Sequence, residues 1–396
     1  MKKTLLTICL VWMCFSLSAQ KIIDLSGKWS FSIDRQDNGE KEKWFSHTLN
    51  DFINLPGSMP EKLKGDEVTA KTQWTGSLYD SSYYYNPYME KYRKEGNIKF
   101  PFFLTPDKHY VGAAWYQKEV NIPADWKGER ILLFLERPHI ETTVWVNGQK
   151  TGMQNSLCVP HQYDITRYVR PGKCTITIRV DNRIKEINVG PDSHSITDQT
   201  QGNWNGIVGR ICLQTTPKTY FDDIQIYPEP EQKLARVKVV IKGTGTAKVK
   251  LSAESFNTDK KHIVPAIQQE IKLNKGVTET EMVLPMGNDM LLWDEFHPAL
   301  YKLKAEVTNG KKTEIKEIQF GMRRFEIKGK WFYVNGRKTQ LRGTVENCDF
   351  PLTGYAPMDV ESWERVFRIC RSYGLNHMRF HSFCPPEAAF MAADRV

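Results

Sequence analysis

Two stretches near the end of the chain decide its fold. Residues 332–347 read FYVNGRKTQLRGTVEN, and residues 374–394 read GLNHMRFHSFCPPEAAFMAAD. In the first stretch, the Asn335-Gly336 pair is typical of a β-hairpin turn, and the residues after it predict a strand that ends near Arg342. In the second stretch, LNHMRFH predicts another strand, and the two prolines before Glu387 predict the start of a helix.

A helix is predicted between these two strands. Asp359 has a side chain suited to the N-cap, and Gly374 is suited to the position just beyond the last turn. Apolar residues recur at helical spacing and define one face, namely Trp363, Val366, Phe367, Ile369, Cys370 and Tyr373. Strand, helix, strand, helix is the order in which a parallel α/β array begins, so residues 325–396 are predicted to start such an array.

Residues 218–324 predict a different kind of domain. The segments ARVKVVIKG, KVKLSAES and YKLKAEVTN each alternate apolar and polar residues with the period of a strand. A run of about 100 residues of short strands without a helix fits an immunoglobulin-like β-sandwich. No cluster of reactive side chains lies in this sequence, so its predicted role is that of a spacer.

Residues 20–217 predict a jelly-roll β-sandwich. The predicted strands include AWYQKEV, RILLFLE, TTVWV and CTITIRVDN, and Asn147-Gly148 directly after TTVWV predicts a hairpin turn. Many short strands are interrupted by Gly, Pro and Asn, and no long helical period occurs. The chain is therefore predicted to be a mainly β, multidomain protein.

An insertion at residues 74–110 is rich in tyrosine. Six of the 16 tyrosines of the chain lie between Tyr79 and Tyr92. Aromatic rings can stack on the flat C–H faces of sugars, which favours a loop that faces a glycan. The alternative is that the rings pack the long loop onto the sandwich, because a long loop needs packing of its own.

The amino terminus and the charge indicate where the protein acts. A charged start, a short apolar run and small residues before Gln20 predict a signal peptide over residues 1–19, and hence an exported protein, periplasmic or secreted. No later segment has the ~20 apolar residues of a membrane span. The net charge of +9 is scattered rather than gathered in a stripe, so nucleic acid is not expected as a partner. Six cysteines follow the signal peptide without C-x-x-C spacing, and most are expected to be buried free thiols.

Motifs in all three segments, in this order along the chain, resemble glycoside hydrolase family 2, the group of β-galactosidases and β-glucuronidases. They are AWYQKEV, VWVNGQKTG, YDITRYVRPGKCTITIRVDN and NWNGIVGRICL in the first segment, WDEFHPALYKLKAEV and FGMRRFEI around the second, and the two stretches quoted at the outset. The resemblance implies a jelly-roll sugar-binding domain over 20–217, an immunoglobulin-like domain over 218–324 and the first βαβα of a truncated (β/α)₈ TIM barrel over 325–396.

The resemblance also implies a function. It indicates a retaining exo-β-glycosidase of β-galactosidase type that acts on β-linked oligosaccharide or polysaccharide glycans and uses neither a cofactor nor a metal. Its two catalytic carboxyl groups would be glutamates after barrel strands four and seven. Because a whole barrel takes ~250 residues, residues 325–396 are too few to include either glutamate. We therefore expect no catalytic residue in these 396 residues and no activity from them alone.

Four residues just beyond the two predicted barrel strands are candidates for sugar binding. They are Asn347, Asp349, Arg379 and His381. Charge-assisted hydrogen bonds orient sugar hydroxyls well, which suits the arginine and the aspartate to this role. The sequences around them, Glu-Asn-Cys-Asp at 346–349 and Arg-Phe-His-Ser at 379–382, depart from the Asn-Arg-His and Ser-His patterns of many family members. A divergent subfamily is indicated, so galactose specificity does not transfer.

Other interpretations of the same residues stay open. Arg342 and Arg379 would, in a structural role, pair with acidic residues of other barrel strands. A catalytic dyad drawn from Glu346, Asp349 and Glu387 would lie in an open two-strand array and have ordinary pKa values. The whole chain would, in the alternative function, be a non-catalytic carbohydrate-binding or vestigial β-sandwich protein.

The short parallel array also predicts a physical property. A sheet of two parallel strands leaves backbone donors and an apolar helix face without partners. We therefore expect LNHMRF and the helix face of Trp363 and Phe367 to be unpaired, and residues 325–396 to be loosely packed or prone to aggregate in isolation.

Overall fold

The computed structural model describes residues 20–69, 71–75, 85–98, 106–185, 193–198 and 202–396. The predicted signal peptide and much of the tyrosine-rich insertion, including Tyr79, Tyr83, Tyr84 and residues 101–104, lie outside the described residues. The described chain is mainly β, as predicted, and consists of two sandwiches followed by a small α/β unit.

The first sandwich contains two antiparallel sheets. Its strands are β1 (Ile22–Asp24), β2 (Gly27–Asp34), β3 (Asp51–Leu55), β4 (Gly57–Ser58), β5 (Asp66–Glu67), β6 (Lys108–His109), β7 (Ala113–Ile122), β8 (Arg130–Pro138), β9 (Glu141–Val146), β10 (Gln149–Asn155), β11 (His161–Asp164), β12 (Gly172–Asp181) and β13 (Gly206–Thr216). One sheet has the order β1-β13-β8-β11, with β4 also on β13, and the other has the order β10-β9-β12-β7-β2-β3. Strands β5 and β6 form a separate ribbon.

The core of the first sandwich follows from the alternation in its strands. Ile176, Ile178 and Val180 of β12 point inward and are fully buried. Both sheets contribute to one continuous apolar cluster. The predicted turn is confirmed, because Asn147 and Gly148 join β9 to β10 with φ of 50° and 77°, the left-handed conformation that a tight hairpin requires.

The second sandwich is built around two long strands. Its strands are β14 (Tyr220–Glu229), β15 (Leu234–Phe256), β16 (Ile263–Pro285), β17 (Leu300–Asn309) and β18 (Lys312–Phe320). The prediction of short strands was wrong here, because ARVKVVIKG and KVKLSAES belong to the single 23-residue strand β15. An irregularity at residues 243–245 interrupts its pairing with β16, and both halves bury apolar residues in one core.

The last unit has the predicted order of strand, helix, strand and helix. It starts with a small antiparallel sheet of β19 (Phe325–Lys328), β20 (Trp331–Val334) and β21 (Arg337–Thr339), and continues with β22 (Gly343–Glu346), α1 (Val360–Ser372), β23 (His377–Phe380) and α2 (Glu387–Arg395). Strands β22 and β23 pair in parallel. The predicted strand end near Arg342 was wrong, because β21 ends before that residue and β22 begins after it.

Helix α1 begins and ends where the sequence predicts. Asp359 Oδ1 accepts a hydrogen bond of 2.8 Å from the Ser362 amide, and Gly374 takes a φ of 78° just beyond the last turn. The predicted apolar face is only partly correct, because Ile369 and Tyr373 are 51% and 81% exposed.

The expectation that this face is unpaired was also wrong at its centre. Trp363 is 2% exposed and packs beside Phe367, Phe380 and the alanines of α2. A large ring in contact with both helices and a strand therefore forms a small core for the βαβα unit.

Glycine at position 206 permits the close approach of β13 to β4. Its φ is +148°, and a Cβ there would lie 2.5 Å from the Gly57 carbonyl oxygen. We expect Gly206→Ala to reduce the free energy of unfolding by about 2–4 kcal/mol, because the strand pair must separate. Urea unfolding followed by tryptophan fluorescence measures this. Gly152→Ala is the control, since its Cβ would meet only Tyr163 at 3.7 Å, and an equal loss in both variants would contradict the explanation.

A buried carboxylate at the end of β12 is held by three cations. The Asp181 side chain is fully buried and lies 2.9 Å from Arg179, 2.5 Å from Arg183 and 2.7 Å from Lys185. Burial acts to raise the pKa of Asp181, but the hydrogen bonds from Arg183 and Lys185 outweigh it and hold that pKa well below its usual range.

This carboxylate makes stability depend on pH. A lowered pKa in the folded state stabilises the fold above the unfolded pKa of about 4, and the contribution is lost as the pH falls below that value. We expect Asp181→Asn to cost roughly 3 kcal/mol at neutral pH, and progressively less relative to wild type in acid. Unfolding series from neutral pH to about pH 3 test this. Asp222→Asn, which breaks an exposed pair with Lys242, should cost under about 1 kcal/mol throughout. A cost for Asp181→Asn that stays constant with pH would contradict the linkage.

Candidate functional site

A cavity of about 440 Å³ lies between the first sandwich and the carboxyl ends of the parallel strands. Cys348, two residues beyond β22, and Ser382, two residues beyond β23, form one side of it. Arg137, His139 and Trp204 of the first sandwich form the other side. We call this the junction cavity. Its volume is in the range of ligand sites for small molecules.

Aromatic rings line the wall of the junction cavity. Trp204, which is 6% exposed, stacks on His139 with ring centres 4.6 Å apart and planes 18° apart. Tyr355, from the loop between β22 and α1, lies 5.6 Å from the Trp204 ring. Residues far apart in the chain therefore build one apolar wall with polar edges, a surface suited to the C–H face of a sugar.

The titratable groups of the junction cavity are mostly neutral near pH 7. Burial, and then the charge of Arg137, lower the pKa of His139 to about 3. Burial raises the pKa of the Cys348 thiol to about 12 and also raises the pKa of the Cys384 thiol. The guanidinium of Arg137 therefore carries the formal charge among the described residues that line the cavity.

A larger groove of about 1100 Å³ lies on the other side of the loop between β22 and α1. Glu136 Oε2 accepts hydrogen bonds of 2.8 Å from both the backbone amide and the Nε of Arg210. The Arg210 Nη2 also donates to Glu387 Oε2 at 3.2 Å, which links β13 to the start of α2. Arg210 thus bridges two carboxylates, and its contact with Glu387 fastens the βαβα unit to the sandwich.

The four predicted sugar-binding residues do not meet in one cavity. Asp349 lines the larger groove, whereas Asn347, Arg379 and His381 line neither the groove nor the junction cavity. Asn347 and Arg379 are exposed. The half-buried His381 donates its backbone amide to the Glu346 carbonyl at 2.8 Å, and its ring lies 5.4 Å from that of His194. Their role in sugar binding stays a prediction.

Two further sequence expectations need correction. Arg342 does not depend on other barrel strands for a partner, because its Nη2 lies 3.3 Å from Glu295 Oε2 in the segment before β17. Its Nε also donates to the Gly374 carbonyl at 2.7 Å. The pKa of Asp349 is not ordinary, because burial, and then the nearby Glu346 charge, raise it.

Sequence reasoning missed the residues that do line the junction cavity. Trp204 lies inside the quoted NWNGIVGRICL motif, so its segment was recognised although its role was not. Arg137 and His139 follow directly after the predicted strand RILLFLE, a position where polar residues beside a buried strand signal a site. Their convergence with Cys348 and Ser382 depends on how the units dock, which spacing along the chain does not reveal.

Other kinds of site find no support in the part of the chain that the structure describes. No group of three or more His, Cys, Asp or Glu side chains there is arranged to hold a metal ion. No described helix is both long and apolar enough to cross a membrane. The six cysteines after residue 19 are free. One of them, Cys174, is buried, Cys384 is exposed and the other four are half-buried, so the expectation of mostly buried thiols was wrong.

Two family models match the chain. The model "Glycosyl hydrolases family 2, sugar binding domain" matches residues 22–217, and the model "Glycosyl hydrolases family 2" matches residues 219–323. The chain therefore belongs to family 2 of the glycosyl hydrolases, which confirms the resemblance seen in its motifs.

Relatives and solved structures agree with this assignment. The chain is 23% identical over 396 residues to a β-glucuronidase of Paenibacillus borealis, and the match covers 95% of this chain and 57% of the relative. It is 22% identical over 387 residues to a β-galactosidase large subunit of Latilactobacillus sakei, covering 93% and 58% respectively. The fold is similar to that of a Ruminococcus gnavus β-glucuronidase, with a TM-score of 0.69, 19% identity, and coverage of 95% of this chain and 57% of that one. The chain thus spans a little over half the length of these relatives.

The contacts of Arg342 predict how firmly the βαβα unit is attached. We expect Arg342→Met to make residues 325–396 about tenfold easier to cleave by a protease, because charged hydrogen bonds to Glu295 and Gly374 are lost. Limited proteolysis followed by mass spectrometry measures this. The control is Arg368→Met, which removes only an exposed pair with Glu364 at 3.0 Å. Equal cleavage of wild type and Arg342→Met would show that these contacts do not hold the unit.

Proposed function

We propose that these residues form the glycan-recognising part of a retaining exo-β-glycosidase of the β-galactosidase and β-glucuronidase type, acting on β-linked oligosaccharide or polysaccharide glycans. The observation that carries the proposal is the junction cavity, which the first sandwich and the carboxyl ends of β22 and β23 build together in a family 2 chain. Sites of barrel enzymes lie at the carboxyl ends of their strands, so the cavity is placed where such a substrate would enter.

The proposal includes the domain organisation. Residues 20–217 are a jelly-roll sugar-binding domain, residues 218–324 an immunoglobulin-like domain, and residues 325–396 the opening βαβα of a TIM barrel. The parallel pairing of β22 with β23 and the crossover through α1 support the last assignment. We also propose that residues 1–19 direct export, on the sequence pattern alone.

We further propose that these residues hold no complete catalytic dyad. A retaining enzyme needs two carboxyl groups about 5–5.5 Å apart on opposite sides of the scissile bond. Glu346, the last residue of β22, accepts a hydrogen bond of 2.9 Å from the Cys348 amide, and Asp349 lies in the loop that follows. Glu387 is paired with Arg210. None of these three carboxyl groups lines the junction cavity.

A second function is favoured by one observation. The described residues already line the junction cavity on both sides, so the cavity can bind a sugar without a catalytic group. Under this alternative the chain is a non-catalytic carbohydrate-binding or vestigial protein. This alternative predicts the same sugar binding as the first proposal. The two differ only in whether these residues belong to an active glycosidase.

The absence of a dyad gives a direct test. We expect the purified 396-residue chain to show no hydrolysis of p-nitrophenyl β-galactoside or p-nitrophenyl β-glucuronide above a buffer blank. An active β-glycosidase assayed in parallel shows that the substrates and detection work. Turnover that Glu346→Gln or Asp349→Asn abolishes would contradict the proposal and identify a local dyad.

A further inference from the structure

Three free cysteines from separate parts of the chain meet at the junction cavity. Cys158 lies between β10 and β11, Cys348 lies after β22, and Cys384 lies between β23 and α2. All three line the cavity. Cys158 belongs to the first sandwich and Cys384 to the βαβα unit, so a bond between these two would join the units across the cavity.

Arg137 brings Cys158 and Cys384 together. Its Nη2 donates to the Cys384 carbonyl at 2.8 Å and lies 3.9 Å from the Cys158 sulfur. Burial, and then the neighbouring Cys158, raise the pKa of the Cys384 thiol, and a side-chain hydrogen bond between the two thiols contributes to this. The two sulfurs are therefore neighbours in the folded protein.

Neither of these cysteines is held in a strand or a helix. Cys158 lies in the turn that joins β10 to β11, and Cys384 precedes two prolines in the loop before α2. Loops can shift without breaking the hydrogen bonds of a sheet, so the sulfurs can approach to the ~2 Å of a disulfide bond. Cys384 is exposed and Cys158 is half-buried, so a small oxidant can reach the pair.

Cys348 is the competing thiol. Burial raises its pKa to about 12, so it stays protonated and is a poor nucleophile. A guanidinium beside a sulfur favours the reactive thiolate, and Arg137 lies beside the sulfur of Cys158. The pair of Cys158 with Cys384 is therefore favoured over a pair that includes Cys348.

We propose that Cys158 and Cys384 are an oxidisable pair whose disulfide locks the βαβα unit to the first sandwich across the junction cavity. The oxidant is a small-molecule disulfide such as oxidised glutathione. The thiolate of one cysteine attacks a sulfur of the oxidant and releases one reduced glutathione. The thiolate of the other cysteine then attacks the mixed disulfide and releases a second reduced glutathione. Two protein thiols thus become one disulfide, and their two protons end on the two glutathione thiols.

The inference goes beyond the proposed function and does not rest on it, because the experiment supplies the oxidant. The proposed export would place the pair in a compartment where disulfides persist. In the reduced chain, noncovalent contacts such as the pair of Arg210 with Glu387 join the two units. The disulfide adds a covalent tie that restricts how far the units can separate.

The test is oxidation of the folded 396-residue chain with oxidised glutathione, at about pH 8 where thiolates form readily. Iodoacetamide then blocks the remaining thiols, and peptides are mapped by mass spectrometry without reduction. We expect one linked pair, Cys158 with Cys384, the loss of two free thiols, and the return of both after dithiothreitol. The same treatment in urea is the control, and we expect no preference for this pair there.

Protection of the βαβα unit is the second readout. We expect oxidation to make residues 325–396 about tenfold or more resistant to limited proteolysis, because the cross-link opposes separation of the units. Cys158→Ser and Cys384→Ser should each remove both the linked pair and the protection. The matched controls Cys370→Ser, on α1, and Cys348→Ser should keep both.

Five results would overturn the inference. They are thiols that do not react, a linked pair that includes Cys348, a mixed disulfide with glutathione that does not resolve, a disulfide-linked dimer, and a bond between Cys158 and Cys384 that gives no protection. If circular dichroism shows that a serine variant is unfolded, the peptide map and the proteolysis of oxidised against reduced wild type decide. Hydrolysis of a β-glycoside by the chain would contradict the proposed absence of a dyad and leave this inference standing.

Discussion

The structure depends on the contact between strands β8 and β13 of the first sandwich and the loops that follow β22 and β23. Glu136 binds Arg210, Arg210 binds Glu387 at the start of α2, and Arg137 donates to the Cys384 carbonyl. A sheet of two parallel strands does not bury enough surface to be stable by itself. The first sandwich supplies the missing partner, and in doing so it forms one side of the junction cavity.

The second sandwich fastens the same unit from another direction. The Trp293 Nε1 donates to the Asp394 carbonyl at 2.6 Å, and Gln319 Nε2 donates to the Asp394 side chain at 3.2 Å. Helix α2 is therefore tied to the segment before β17 and to β18. The second sandwich is therefore more than a spacer, because it helps to hold the βαβα unit against the first sandwich. Apolar side chains such as Val345 and Phe390 stay about half exposed on this unit.

Local features could be predicted from the sequence because their causes are local. The turns at Asn147-Gly148 and Asn335-Gly336 need left-handed backbone, and the cap of α1 needs an acceptor such as Asp359. The burial of Trp363 could not be predicted, since it depends on where α2 packs. The same reason applies to Arg342, whose partner Glu295 precedes it by 47 residues.

The candidate site likewise combines features that could be predicted from the sequence with features that depend on packing between units. Strand order correctly indicated that the residues after β22 and β23 lie near each other, because parallel strands end at one edge. Sequence spacing did not show that this edge faces Arg137 and Trp204, which depends on docking between separate units. The burial of Arg137 Nη1 without a hydrogen-bond partner among the described residues is a property of the assembled structure, which the sequence does not show.

Docking of the βαβα unit against the sandwiches is tested most directly by hydrogen exchange of individual amides in the intact chain. The His381 amide donates to the Glu346 carbonyl and the Asn376 amide to the Arg342 carbonyl, at 2.8 and 2.9 Å. If the sandwiches hold the βαβα unit in place, these amides should be protected to the same order as those of β12 in the first core. Exchange at the rate of an unstructured peptide would show that the unit is not docked, and would contradict the junction cavity as a site.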